Sequence, residues 1–146
     1  MAKPLDGGAF LAYCRRPGFP KATQNLLAHI RSSPPSRSPA ARRGNMPVWY
    51  PAKKMQCIIK AESVKVEFAF LLEAEHADDV LEFWDQPPPI PLEYQDRRGR
   101  LQRPLHTADH FVFRQQSAGY EECKPVDELT RLAEANCVGF SPCLVA

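Results

Sequence analysis

Proline limits where this chain can build regular structure. Each proline fixes φ and removes a backbone donor, so it ends helices and is confined to edges or bulges of sheets. The chain has 146 residues and 15 prolines, too many for one evenly packed domain of this length. Pro4, Pro17, Pro20, Pro34, Pro35, Pro39, Pro47 and Pro51 crowd the first third, and Pro87, Pro88, Pro89 and Pro91 form a cluster. No proline interrupts Ala61 to His76, where Val66, Phe70 and Leu71 recur at helical spacing. That stretch is expected to be the main helix.

The front of the chain reads differently. RSSPPSRSPAARRGN offers little to bury and cannot offset the entropy of ordering it. Residues 1–44 are therefore expected to be a disordered Pro/Ser/Arg-rich arm, with a short helix over Thr23 to Ile30 at most. Charge follows the same division. Met1 to Lys60 holds eleven basic residues against Asp6 alone, a net of +10, which leaves −8 for the remainder of a chain whose total is +2. A basic arm on an acidic body fits an anionic partner, and equally fits a solvated tail.

Cys14, Cys57, Cys123, Cys137 and Cys143 form no CxxC pair and are odd in number, which argues against a disulfide framework or a zinc site. Reduced thiols and a cytoplasmic location are expected. No apolar run has the length of a signal peptide or a membrane span, so no membrane partner is expected.

After the helix, Val80 to Trp84 is a short apolar strand or turn. Ile90 to Tyr94 and Leu101 to Thr107 should pair as a hairpin across the polar Gln95 to Arg100 turn. Asp109 to Arg114 is a strand with Phe111 and Phe113 alternating against polar neighbours, and Tyr120 to Lys124 is the next, ended by Pro125. Val126 to Asn136 is a second helix. Met55 to Lys60 could extend into a helix. The expected fold is α/β, a mixed β-sheet flanked by helices, over residues 45–137, with a short or truncated tail at 138–146.

Asp109, then Glu122 and Lys124 two residues apart, match a minimal phosphodiesterase pattern. Magnesium takes oxygen ligands, commonly one or two carboxylates with phosphate and water, and a nearby lysine orients the nucleophile and offsets phosphate charge. Side chains at i and i+2 share one face of a strand, which sets Glu122 with Lys124 and Glu121 opposite. Alone, a Glu-x-Lys triplet is an ordinary set of surface charges; the Asp109 spacing and the strand context strengthen it. A further acid should come from the helix. Glu62 and Glu67 are about 140° apart around a helix, so only one can face the site. Glu67 lies near the buried stripe, where a metal or a basic neighbour must balance its charge.

The order of short motifs resembles the TnsA family, endonuclease subunits of heteromeric transposases with a restriction-endonuclease-like (PD-(D/E)xK) core. The motifs are Pro51-Ala52-Lys53-Lys54, Glu62-Ser63, Leu71-Leu72-Glu73, Gln86-Pro87, Leu92-Glu93-Tyr94, Thr107-Ala108-Asp109-His110-Phe111 and Glu122-Cys123-Lys124-Pro125. The resemblance covers Pro51 to Pro125 and aligns the family's helical glutamate with Glu67. It implies a nuclease that nicks transposon-end DNA beside a DDE-type transposase. Glu67, Asp109, Glu122 and Lys124 would be its catalytic residues. Magnesium, or manganese in its place, would be held by Glu67, Asp109, Glu122 and the Cys123 carbonyl. Ala108 replaces the family's proline, and Cys123 its valine. The family continues further after the second helix, so a catalytically inactive or truncated remnant that binds transposase or DNA is the alternative. A third reading is an unrelated interaction protein whose Arg-rich arm meets acidic partners. His76, His106 and His110 are expected to be polar surface.

Overall fold

The computed structural model describes residues 4–15, 18–40 and 46–135. The tail expected at 138–146 lies outside them. At the centre is a three-stranded antiparallel sheet. Strand β8 (His110–Arg114) lies between β3 (Val80–Asp85) and β9 (Ala118–Glu121). In register, Phe83 faces Val112, Asp85 faces His110, and His110 faces Glu121.

Both faces of β8 are covered, which explains its sequence. Val112 and Phe83 pack with Leu71 and Ala74 of helix α3 (Glu67–His76) and with Ala52, Ile59 and Ala61 of a hairpin, β1 (Val48–Ala52) and β2 (Cys57–Ala61). Phe111 and Phe113 pack on the other face against Tyr13 and Cys14 of α1 (Gly7–Arg15) and Leu27 and Ile30 of α2 (Lys21–Ser32). A strand buried on both faces reads as a continuous apolar run. The expected alternation therefore gives way to His110, Phe111, Val112 and Phe113 all being buried.

The expectation of an unpacked arm over residues 1–44 is corrected for the part that is described. Composition averaged over that stretch hides a few large side chains that fall on the right faces. Leu27 and Ile30 are each fully buried, worth about 2 kcal/mol apiece. Arg31 is not a solvated charge: Nε pairs at 3.0 Å with Glu82, whose side chain is fully buried. The Glu82 carboxylate also takes the Leu5 amide at 2.8 Å and the Trp84 indole at 3.0 Å, so the buried charge is satisfied. Tyr13 stacks on Phe113 at 5.8 Å, and its hydroxyl donates to the Ser117 carbonyl at 2.7 Å. Tyr13→Phe is expected to lower stability by about 1 kcal/mol. Urea unfolding checks this, and an unchanged midpoint would mean that the Tyr13 hydroxyl bond to Ser117 makes no net contribution.

Other boundaries move as well. Residues 57–61, read as helix, form β2, with Ala61 opposite Val48 and Ile59 opposite Tyr50. The helix expected from Ala61 starts at Glu67, because strand pairing holds the chain extended as far as Ala61. It ends where Lys54, buried, donates from Nζ to the carbonyls of Ala74 (2.8 Å), Ala77 (2.7 Å) and Val80 (2.9 Å). The three donors of this ammonium tie the last turn of α3 to its cap and to the first residue of β3. The mixed sheet is also corrected, since every strand pairing among the described residues is antiparallel. The physical reason is connectivity: α3 links β2 to β3, which lie in different sheets, so no crossover within one sheet arises.

The expected hairpin forms in two short ladders. β4 (Ile90–Pro91) pairs with β7 (Leu105–His106), and β5 (Tyr94–Gln95) pairs with β6 (Leu101–Gln102). Its tip is held by Asp96, whose carboxylate accepts the amides of Arg98 and Arg100; Gly99 supplies the left-handed φ of 72°. Helix α4 (Val126–Ala135) follows, and its apolar Val126, Leu129 and Leu132 stay exposed.

Candidate active site

Three turns meet at one end of the central sheet: the loop from β2 into α3, the residues before β8, and the residues after β9. They surround a polar cavity of about 450 Å³ lined by Glu62, Glu67, Asp109, Glu122, Cys123 and Lys124, with Arg37 and His106 beside them. The four residues named from sequence thus share one cavity.

Local structure explains each placement. Glu67 opens α3, and the turn before it folds back so that its Oε2 accepts the Glu62 amide at 2.8 Å. Because Glu62 lies in that turn and not on the helix, both glutamates reach the cavity; the helical angle that excluded one of them does not apply. Asp109 immediately precedes β8. Its own carbonyl accepts the Gln86 amide at 2.9 Å, and its Oδ2 accepts the Cys123 amide at 2.8 Å. This second bond ties the start of β8 to the end of β9. Glu122 and Lys124 lie past the end of β9, at Glu121, so strand alternation does not extend to them. Even so, Lys124 Nζ is 3.6 Å from Glu122 Oε2, while Glu121 turns away to pair with Arg114 at 2.8 Å.

The electrostatics are those of crowded acids. Burial, opposed by the Glu62 amide and reinforced by the Asp109 charge, pushes Glu67 from 4.5 to about 7. Burial also raises Asp109, with Glu122 adding to the rise and the Cys123 amide, Lys124 and Arg37 opposing it. The Cys123 thiol is pushed up to about 12 by burial and by the surrounding carboxylates, so it stays neutral. His110 is not surface. It is fully buried against Phe70 with ring centroids 4.7 Å apart, and burial lowers its pKa to about 4. Among the described residues its Nε2 has no hydrogen-bond partner, and its Nδ1 is 3.8 Å from Cys123 Sγ.

Three neighbours were not assigned to the site from sequence. His106 Nε2 hydrogen-bonds Glu122 Oε1. Gln86 is fully buried with a left-handed φ of 46°, and it holds both the Asp109 backbone and Arg37. Arg37 comes from the segment after α2. Gln86 carried a sequence signal as part of the Gln86-Pro87 motif, and Arg37 carried one as part of the basic arm.

Oxygen donors dominate, which suits a hard divalent cation. Glu67 and Asp109 each have one carboxylate oxygen fixed by a backbone amide, and among the described residues no donor bonds the other oxygen. Among the described residues no group of three or more His, Cys, Asp or Glu side chains is gathered closely enough to hold a metal ion by itself. Magnesium needs no such cage, because it retains waters and takes phosphate oxygens. Comparison with protein-family models and with curated proteins finds no match to this chain.

Proposed function

We propose that this protein is a magnesium-dependent DNA endonuclease subunit of a cut-and-paste transposon, nicking transposon-end DNA beside a DDE-type transposase on a restriction-endonuclease-like core. The observation that carries the reading is the meeting of Glu67, Asp109, Glu122 and Lys124 around one polar cavity, where carboxylates outnumber cations. Asp109, Glu122, Glu67 and the Cys123 carbonyl are the groups that would hold the ion. The ion, with manganese able to replace it, supplies charge for the scissile phosphate and a more acidic water. Lys124 orients the attacking water and offsets charge on the phosphate. Gln86 and the Cys123 amide hold Asp109 in place from two sides.

A binding-only protein is the second reading, favoured by one observation: Glu122 is already engaged by His106 and Lys124. The test is nicking of transposon-end DNA by the chain with its cognate transposase and magnesium. Single-strand cuts are expected with the transposase and little cutting without it. DNA binding with no cutting under any of these conditions would favour the second reading.

A further inference from the structure

The segment after α2 is clamped to the edge of the cavity. The Ser36 amide donates to the Gln86 carbonyl at 2.8 Å and its hydroxyl to the Pro87 carbonyl at 2.9 Å. Lys60 Nζ donates to the Ser38 hydroxyl at 3.1 Å, and Pro39 is buried. Between these anchors Arg37 extends into the cavity that holds Glu67, Asp109 and Lys124. Its Nε is 2.5 Å from Gln86 Oε1 and 3.2 Å from Glu62 Oε1. No hydrogen bond from Nη1 or Nη2 ends on a described residue, and the side chain is 51% exposed. A guanidinium fixed through Nε with its outer fork open is set up to take two oxygens of a phosphate.

A cation placed only to neutralise the carboxylates would turn its fork toward them. Here the fork is left over. A metal-binding acid cluster attracts the ion but repels the phosphate that must follow, so a cation rigidly held at the rim answers that need. We infer that Arg37 clamps a DNA phosphate at the mouth of the cavity, which makes the segment after α2 part of the substrate site. This rests on the reading of the site as a nuclease.

Fluorescence anisotropy with a labelled duplex DNA, in calcium to prevent cutting, tests it across a range of salt. Each phosphate contact contributes about 0.9 to the slope of log affinity against log salt. Arg37→Ala is expected to lose about one unit of that slope and to bind several-fold more weakly. Arg37→Lys should recover the slope while remaining slower in magnesium-dependent nicking, because an ammonium is not a planar fork. Lys53→Ala, on a different cavity, serves as the control for general charge and should match wild type. Equal slopes for Arg37→Ala and wild type would overturn the inference, as would absence of DNA binding by wild type. Wild-type binding with no cutting even when the transposase and magnesium are supplied would instead sink the nuclease reading and leave the slope to decide Arg37.

Discussion

Asp109→Ala is expected to abolish magnesium-dependent nicking, a loss on the order of 10³ or more, from the scale of removing a single group that stabilises transition-state charge. The variant should also lose the rise in melting temperature that magnesium gives wild type. An ion at a hundred times its Kd stabilises the state it binds by about 2.7 kcal/mol. Lys124→Ala should lose cutting to a similar degree yet keep the thermal response, because an ammonium cannot ligate a cation. The pair therefore separates holding the ion from positioning water and phosphate. Neither substitution should unfold the protein. Asp109→Ala gives up the Cys123 amide bond, about 1 kcal/mol. Against that, it removes a charge that burial and Glu122 already disfavour. Cutting that survives Asp109→Ala would sink the site. A magnesium response that survives it would move the ion elsewhere.

What the sequence made legible and what it hid have physical reasons. The hairpin before β8 and the helix after Pro125 were readable, because turn residues and short-range spacing are local signals. So was the gathering of Glu67, Asp109, Glu122 and Lys124, although partly by a wrong route. Glu122 and Lys124 were placed together by strand alternation, but they lie beyond β9 and meet because the chain turns at Cys123 onto Asp109. Burial of α1 and α2 was hidden, since Tyr13, Leu27 and Ile30 need a surface on the central sheet that no local window contains. Arg37 was hidden for the same reason. Its relation to Gln86 spans 49 positions, and a basic Pro/Ser-rich stretch looks the same whether it is solvated or clamped. His110 was read as surface because a lone histidine near a strand start is usually polar surface; its burial follows from the layers above and below β8.

Glu67→Gln is expected to stabilise the metal-free protein, and by an amount that grows with pH. Glu67 is only 6% exposed, and burial raises its pKa from 4.5 to about 7. A carboxyl with a higher pKa in the folded state binds its proton more tightly there than in the unfolded chain. Its contribution therefore favours folding at low pH and is lost as pH rises from the unfolded value to the folded one. At about 1.4 kcal/mol for each pH unit, the penalty reaches roughly 3 kcal/mol above pH 7. Glutamine has no proton to lose, and its amide oxygen can still accept the Glu62 amide that Oε2 accepts now. The two proteins should thus melt alike below pH 4.5 and diverge above it, by something near 10 °C at about 3 °C per kcal/mol for a chain of this size. Asp109 and Asp85 are shifted the same way and both remain in the variant, so the difference between the two curves reports Glu67 together with its coupling to Asp109. Magnesium should narrow the gap by stabilising wild type alone, while nicking by the variant falls. Melting curves in chelator between about pH 4 and about pH 8 provide the check. A difference that stays flat over that range would mean that Glu67 ionises as an ordinary surface carboxylate and that the cavity does not hold the surplus charge a cation is needed to balance.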